Sequence, residues 1–377
     1  MNSKSKAFTS LLLITICWTE SSAFLVPNGH HTTRADVHSF QLSADTTGNG
    51  EYLPPPSYGL YEVQEEMLVK RGVIEEELME GNHKPLKAKK IRGVGQSKGF
   101  GGGGTKSSSA FKESGKIFAK EIRKEGLARI DGVLTNDLAD AMRNFAFELR
   151  KDSEEQVKAG NVKRIDRFAD VLLRSNRCDL TIPLGPEPVM NALRHVFFES
   201  PVRATIEEML TDQAALYELS CLISDPGSQR QVVHPDNPFR EGMNDPVLLT
   251  CFIALQDIDM SMGPTVWLPR THTAEIHSQF QDDQVGSDGS ESPKDQLLRT
   301  RPTVLGTLPK GSCVIYDSRV LHCGTANKSF DTSNQSRALF YFSFRNPAIG
   351  NPGNPASIRP DLGRARMSMT DFVAALK

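Results

Sequence analysis

The chain has 377 residues, a formal net charge of −2 at pH 7 and an apolar content of 38%. This length gives room for one large domain or two ordinary ones, and the composition is typical of a soluble globular protein. The near balance of charges excludes a surface that attracts polyanions as a whole, so we expect no nucleic-acid partner.

Residues 1–23 have the pattern of a cleavable signal peptide. Two lysines precede an apolar run over residues 7–18, and the small residues 21–23 follow as a cleavage site. The run is too short for a membrane span, so we expect no integral membrane segment in the mature chain. Residues 24–50 are rich in Thr, Ser and His and poor in acids, and they resemble the transit peptide in the plastid presequences of algae with secondary plastids. We therefore expect a plastid location, with the secretory pathway as the alternative.

The cysteines argue against a disulfide-stabilised fold. After removal of the signal peptide an odd, scattered set without a CxxC pair remains: Cys178, Cys221, Cys251, Cys313 and Cys323. Neither a disulfide framework nor a zinc ribbon has this spacing. Such cysteine usage fits a reduced compartment such as a plastid stroma.

Residues 51–116 predict a helical and Gly-rich flexible region ahead of the main domain. A triple proline at 54–56 is a stiff spacer, residues 60–80 predict a short helix, and residues 83–116 predict a basic, Gly/Ser-rich linker. The run 99–106 is not expected to bind nucleotides, because a phosphate-binding loop needs Gly-Lys-Ser/Thr in that order after a buried strand.

The folded domain is expected over residues 117–350, followed by a tail with a short helix over 351–377. Thr135 is a good N-cap ahead of apolar residues at helical spacing. The elements predicted for the first half are a strand at 127–134, a helix beginning after Thr135, a strand at 178–184, and helices at 188–199 and 202–210.

Beyond residue 214, short apolar runs alternate with turn residues, which is typical of a β-sandwich or barrel. The polar, acidic segment 279–292 predicts a surface loop that covers the site as a lid or serves as filler. The expected fold class is therefore α+β with a mainly β core. The predicted strands are 215–224, 231–234, 247–257, 264–268, 303–307, 312–316 and 337–345.

His234 and Asp236 are candidate metal ligands. On an extended strand, residues i and i+2 point to the same face, so both side chains can reach one ion. A second histidine, His322, ends a predicted strand downstream. Two histidines and one carboxylate with open positions are the facial arrangement of non-haem Fe(II) oxygenases. Any one of these residues alone is more simply a surface or core polar group, but the ordered set inside a β-rich region favours a metal site.

Arg337 begins a predicted strand that is apolar on both faces and should be central. A guanidinium there is costly to bury unless it binds an anion, and its fork geometry suits a carboxylate. Together with the candidate ligands it describes a site for iron and 2-oxoglutarate, with one end of the dicarboxylate on the metal and the other on the arginine. Arg319 and Arg345 are the alternative anchors.

Three stretches resemble the phytanoyl-CoA dioxygenase family: His234-Pro-Asp236, the segment 263–272 that begins Gly-Pro and ends Pro-Arg-Thr-His, and His322-Cys-Gly followed by Arg337. Arg270 and the threonine after it replace the usual Gly-Ser of that family. The resemblance covers about residues 117–350 and implies a double-stranded β-helix (jelly-roll, cupin-like) flanked by helices. It also implies an enzyme in which His234, Asp236 and His322 hold Fe(II) and Arg337 binds 2-oxoglutarate.

The expected reaction is hydroxylation of a small organic or acyl substrate with O2, releasing succinate and CO2, with ascorbate as a further candidate cofactor. Asp236 argues against halogenation, because a halogenase of this chemistry would keep that coordination position open for a halide ion. The alternative is a catalytically inactive jelly-roll binding or regulatory protein with a vestigial metal site. A zinc hydrolase lacks an evident general base. The primary substrate and the oligomeric state stay open.

Four further residues are weighed for the site. His272 and His277 are a possible second metal pair, but we expect His272 to support its loop and His277 to be solvated. Trp267 and Tyr341 line either the substrate pocket or the core, and the core is favoured.

Overall fold

The computed structural model describes residues 84–87, 108–169, 176–239, 242–349 and 367–377. The predicted signal and transit peptides, the predicted helix at 60–80 and the glycine run at 99–106 lie outside the described residues. In the described ranges no helix has the length and apolar character needed to cross a bilayer.

The helices that the structure describes are α1 Ser108–Glu125, α2 Asn136–Lys158, α3 Glu187–Phe198, α4 Val202–Leu210, α5 Ala274–Gln281, α6 Pro293–Thr300 and α7 Met369–Ala375. The strands are β1 Lys84–Pro85, β2 Leu127–Ile130, β3 Phe168–Ala169, β4 Arg177–Thr181, β5 Ala215–Ser224, β6 Leu248–Ala254, β7 Thr265–Trp267, β8 Val304–Leu305, β9 Cys313–Asp317, β10 His322–Gly324 and β11 Arg337–Arg345. Thr135 caps α2, as predicted, by accepting a hydrogen bond from the amide of Leu138.

The larger sheet has the order β2-β9-β6-β11-β5-β4-β3 and is antiparallel throughout. Strand β11 lies at its centre, between β6 and β5. The first eight residues of β11 are buried, which fits the prediction from its two apolar faces. Its N-terminal residue, Arg337, is therefore placed inside the protein.

The smaller sheet has the order β1-β8-β7-β10, with β1 parallel and the other pairs antiparallel. An isolated bridge between His234 and His322 extends it beyond β10. Side chains from both sheets meet in one apolar cluster, with Phe252 and Leu339 from the larger sheet and Trp267 from the smaller. Two facing sheets with this order form a double-stranded β-helix, which confirms the predicted α+β class with a jelly-roll core.

Helices cover the outer face of the larger sheet. Phe197 of α3 packs against Phe342 and Phe344 of β11 and against Phe372 of α7, with ring centroids 5.0–5.9 Å apart. Truncating one ring in such a cluster costs about 3–5 kcal/mol. The short helix predicted in the tail is thus part of the core.

The structure begins α1 at Ser108, inside the stretch predicted as linker and ahead of the expected domain start at residue 117. The sequence pattern placed Gly115, which lies in α1, in the predicted linker. In the structure a Cβ on Gly115 would lie 2.7 Å from Cβ of Ala204 in α4. The glycine therefore permits close contact between two helices, a packing role that composition alone does not distinguish from flexibility.

Helices α5 and α6 were not predicted, and α5 overlaps the start of the segment predicted as a loop. Each has eight residues, which is close to the lower limit for recognition by periodicity. Both carry N-caps, since Thr273 accepts a hydrogen bond from the amide of Ile276 and Ser292 from that of Asp295. The remaining residues 282–292 form the irregular connection between the two helices.

Candidate active site

His234, Asp236 and His322 lie together at the edge of the smaller sheet. The backbones of the two histidines exchange hydrogen bonds of 2.9 Å in both directions. Oδ1 of Asp236 lies 3.4 Å from Nε2 of His322 and 3.9 Å from Nε2 of His234. One ligand atom from each residue lies within 4.8 Å of the other two. This spacing can converge on one ion about 2.0–2.2 Å from each donor.

Each imidazole is fixed by the backbone two residues before it. Nδ1 of His234 lies 2.8 Å from the carbonyl oxygen of Val232, and Nδ1 of His322 lies 2.9 Å from that of Val320. A protonated Nδ1 donates to the carbonyl, which leaves the lone pair of Nε2 directed at the shared position. This orientation by an outer partner is what metal-binding histidines require.

The three groups shift one another's protonation. Burial lowers the pKa of His234, and the charge of His322 lowers it further. Burial also acts to lower the pKa of His322, but the charge of Asp236 and its hydrogen bond outweigh burial and raise it. Burial acts to raise the pKa of Asp236, and its interactions with His322 outweigh that and lower it. The carboxylate therefore stays ionised at neutral pH and offers an anionic ligand to a dication.

Tyr316, in β9, is a site residue that the sequence did not single out. Its hydroxyl donates a hydrogen bond of 2.9 Å to Oδ2 of Asp236, and its ring lies edge-on to His322 at 5.2 Å. The carboxylate is thus held through one oxygen while the other faces the histidines. The only sequence signal was a tyrosine in the strand that leads toward His322.

Arg337 is fully buried at the start of β11. Its Nη1 donates to the carbonyl oxygen of Gly263, its Nη2 donates to Oγ of Ser224 at 3.1 Å, and its Nε has no hydrogen-bond partner. Burial, together with the positive charge of Arg177, lowers the pKa of Arg337 to about 9. Within the described ranges no carboxylate pairs with it. A buried guanidinium with an open donor fits an anion that the protein itself does not provide.

Arg177, in β4, is a second arginine that the sequence analysis missed. Its Nε donates to the same Ser224 hydroxyl at 3.0 Å, and its Nη2 donates to the carbonyl oxygens of Gln229 and Thr325. The register of β4, β5 and β11 places Arg177, Ser224 and Arg337 in one row. Because this neighbourhood depends on strand pairing, a single sequence does not reveal it.

The alternative anchors lie elsewhere. Arg319 forms a buried ion pair with Asp317 at 2.6 Å, and both side chains are only 2% exposed. Arg345 lies at the opposite end of β11 from Arg337. Of the three candidate arginines, Arg337 is the one that is fully buried without an ion pair among the described residues.

His272 and His277 take separate structural positions. His272 supports its loop, as expected, with Nε2 3.2 Å from the carbonyl oxygen of Arg123. The expectation that His277 is solvated is wrong, because its side chain is buried. Its Nδ1 accepts from the amide of Phe239, and its Nε2 lies 2.7 Å from the carbonyl oxygen of Arg319. His277 therefore tethers the chain shortly after Asp236. Trp267 and Tyr341 are buried as core residues between the sheets, as favoured.

A sequence model described as phytanoyl-CoA dioxygenase (PhyH) matches residues 122–336, a range that includes the three candidate metal ligands and ends one residue before Arg337. No curated protein matches the sequence significantly. The comparison with solved structures finds weak likenesses. HygX from Streptomyces hygroscopicus, with nickel and 2-oxoglutarate bound, has a TM-score of 0.42 and 14% identity over 62% of this chain and 87% of its own.

Two further structures are similar to the same degree. The epimerase SnoN, in complex with Fe3+, alpha ketoglutarate and nogalamycin RO, has a TM-score of 0.41 and 17% identity over 64% of this chain and 88% of its own. AviO1 from Streptomyces viridochromogenes Tue57 has a TM-score of 0.40 and 16% identity over 63% of this chain and 96% of its own. At this level of likeness, none of the three identifies a substrate for this chain.

Proposed function

Since the chain belongs to the phytanoyl-CoA dioxygenase family, we propose that it is an Fe(II)- and 2-oxoglutarate-dependent dioxygenase that hydroxylates a small organic substrate. One observation carries the proposal. The structure gathers His234, Asp236 and His322 around one position and buries Arg337 without a carboxylate partner among the described residues.

The donor set fits ferrous iron. An ionised carboxylate is a hard ligand and a neutral imidazole is of intermediate softness, a combination that suits ferrous iron. Three protein ligands also leave further coordination positions for a co-substrate. Iron(II) held by His234, Asp236 and His322 would supply oxidative chemistry coupled to decarboxylation of 2-oxoglutarate to succinate and CO2. Metal binding at Nε2 also explains why Nδ1 of each histidine is fixed by a backbone carbonyl oxygen, that of Val232 for His234 and that of Val320 for His322.

The remaining residues have binding and orienting roles. Arg337 and the hydroxyl of Ser224 would bind the distal carboxylate of 2-oxoglutarate, with the positive charge of Arg177 beside them. Tyr316 holds Asp236 in one orientation. The apolar cluster between the sheets, including Phe252, limits access of water to the substrate side.

An anaerobic titration of the full chain with Fe(II) and 2-oxoglutarate tests the proposal. We expect a weak visible charge-transfer band, which reports 2-oxoglutarate bound to iron. The His234→Ala variant should lose the band. The Arg337→Ala variant should need about 10–100 times more 2-oxoglutarate to give the same band intensity, because it loses a pair of charged hydrogen bonds to the co-substrate.

Matched controls are available in the same elements. The His272→Ala and Arg345→Ala variants remove the same side chains outside the site and should give the wild-type titration. A folded wild-type chain that gives no band contradicts the proposal. It would instead support the catalytically inactive binding or regulatory protein.

A further inference from the structure

The side chains on the inner face of the larger sheet change from basic to acidic along its strands. Residues paired across neighbouring strands point to the same face, and successive rows on that face are about 7 Å apart. The first row contains Arg177, Ser224 and Arg337, and the second contains Asp179, Leu222 and Leu339. The third contains Thr181, Ser220 and Tyr341, and the fourth contains Glu218 and Ser343. A basic end and an acidic end thus share one interior face.

Asp179 is a buried carboxyl on this face, one row from the basic end. Its residue is 6% exposed, and its Oδ2 accepts a hydrogen bond of 2.6 Å from the hydroxyl of Tyr341. Its Oδ1 is buried and has no hydrogen-bond partner among the described residues, and a hydrogen bond from Ser220, like that from Tyr341, acts to lower the pKa of the carboxyl. Among the described residues no Lys or Arg pairs with Asp179, since neighbouring Arg177 donates to Ser224, Gln229 and Thr325 instead. A carboxyl buried in this way is destabilising unless it meets a partner.

Other acidic groups surround this position. Burial, together with the charge of Asp236, raises the pKa of Asp179 to about 6. Glu218 accepts a hydrogen bond from the hydroxyl of Ser343 on the same face. Burial and then the charges of Asp179 and Glu218 raise the pKa of Tyr341 well above 10, so its hydroxyl stays protonated. Three carboxyl groups, those of Asp179, Asp236 and Glu218, therefore act on this part of the interior, with Arg177 one row away.

Building on the proposed function, we propose that the substrate carries a protonated amine, and that this amine binds Oδ1 of Asp179. Under the proposed function, iron matches the charge of Asp236, and Arg337 matches the distal carboxylate of 2-oxoglutarate. Asp179 is then left for a cation supplied by the substrate. The charge of Asp236 acts on Asp179, so a cation bound to Asp179 would also interact with this candidate iron ligand.

The same arrangement disfavours other substrate classes. A substrate carboxylate or phosphate at this position would meet Asp179 with like charge and would be repelled. A neutral alcohol would donate one hydrogen bond to Oδ1 but would leave the buried charge in place. A protonated amine supplies both the donor and the charge, and an ionic hydrogen bond is about twice as strong as a neutral one.

Three probes of equal length separate these classes: hexylamine, hexanol and hexanoate. Calorimetric titrations of the full chain at pH 8, with and without Fe(II) and 2-oxoglutarate under anaerobic conditions, measure their binding. We expect hexylamine to bind about 10 times more tightly than hexanol, and hexanoate to bind more weakly still. The Asp179→Asn variant should lose this preference, whereas Asp212→Asn, an exposed carboxyl, should retain it.

The variant separates substrate binding from a structural role. A buried carboxyl whose role is to bind substrate destabilises the substrate-free protein. The Asp179→Asn variant should therefore melt at the same temperature as the wild type or higher. It should also give an unchanged charge-transfer band with Fe(II) and 2-oxoglutarate. Equal affinity for hexylamine and hexanol in the wild type overturns the inference, as does an unchanged preference in Asp179→Asn. Absence of the band in the wild type overturns the proposed function instead, and the titrations without iron still decide whether Asp179 binds amines.

Discussion

The hydroxyl of Tyr316 donates a hydrogen bond of 2.9 Å to Oδ2 of Asp236, whose other oxygen, Oδ1, lies 3.4 Å from Nε2 of His322. One oxygen of the carboxylate is thus fixed by the protein and the other is directed at the candidate metal position. A carboxylate held in this way presents one ligand atom with little rotational freedom, which lowers the entropy lost when a metal binds.

We expect the Tyr316→Phe variant to bind Fe(II) about 10–100 times more weakly, because outer partners of metal ligands contribute at this level. Anaerobic equilibrium titration with Fe(II) measures the change. The Tyr217→Phe variant, in a separate apolar cluster, is the matched control and should bind iron as the wild type does. Unchanged iron affinity in Tyr316→Phe would show that the hydrogen bond does not orient Asp236.

Asp179 should lower the stability of the metal-free chain above pH 6. Its pKa rises from 3.8 to about 6 on folding, so the folded state holds this proton more tightly than the unfolded state. The stability that this proton contributes is complete below pH 3.8 and is lost as the pH rises through about 6. A shift of this size corresponds to about 3 kcal/mol.

Urea unfolding of the wild type and of Asp179→Asn at pH 4 and pH 7, with a chelator present, measures this effect. The amide has no proton to lose. Between pH 4 and pH 7 the free energy of unfolding of the variant should therefore rise by about 2.5 kcal/mol relative to that of the wild type. Asp212→Asn should show no such gain. An equal difference at pH 4 and pH 7 would mean that Asp179 titrates normally.

Arg270 occupies a backbone conformation that favours glycine. Its φ is 63°, at the position where the family pattern has Gly, and a side chain in the left-handed region costs about 1–2 kcal/mol. The guanidinium offsets this cost by binding both carboxylate oxygens of Glu125 at 2.7 and 2.8 Å. That pairing, mainly through its hydrogen bond, lowers the pKa of Glu125 to about 2.

We therefore expect Arg270→Gly to be more stable than Arg270→Ala by about 1 kcal/mol, because only alanine keeps the strain. Arg299 in α6 also pairs with a glutamate, Glu291, but it lies in a helix. There the order should reverse, with Arg299→Ala more stable than Arg299→Gly by about 1 kcal/mol. Chemical unfolding of the four variants gives both differences. The same order at both positions would contradict a strained backbone at Arg270.

The sequence was informative where one strand or one helix determines the pattern. Strand β11 was predicted with the bounds that it has, because residues 338–342 form an uninterrupted apolar run between two arginines. His234 and Asp236 were found together because alternation along one extended segment places them on one face. His322 and Arg337 were found at the end and the start of predicted strands, and the family resemblance then agreed with both. The structure brings His234, Asp236 and His322 together.

The residues that were missed depend on pairing between strands that lie far apart in the chain. Arg177 meets Arg337 through Ser224, and Tyr316 meets Asp236 across the space between two sheets. Asp179 faces Tyr341, which is 162 positions later. None of these contacts leaves a periodic signal, because register is fixed by packing over the whole sheet.

Gly263 connects the geometry of its loop to the arginine of the site. Its φ is 70°, and a Cβ there would lie 2.6–2.7 Å from the backbone of Thr325 and Ala326. Its carbonyl oxygen accepts a hydrogen bond from Nη1 of Arg337. A side chain at Gly263 must therefore push this carbonyl or the facing backbone out of place, and backbone atoms yield less readily than side chains.

We expect Gly263→Ala to weaken 2-oxoglutarate binding by about tenfold, roughly the effect of one lost charged hydrogen bond, while Fe(II) affinity stays within about twofold. The charge-transfer band, titrated with 2-oxoglutarate at saturating iron, measures the first and an iron titration the second. Gly289→Ala is the matched control, because Gly289 has a φ of 81° with no heavy atom within 4 Å of the added Cβ. The Gly289→Ala variant carries the same backbone strain but does not displace Arg337. Equal losses of 2-oxoglutarate affinity in the two variants would therefore show that backbone strain weakens the binding and that the carbonyl of Gly263 does not position Arg337.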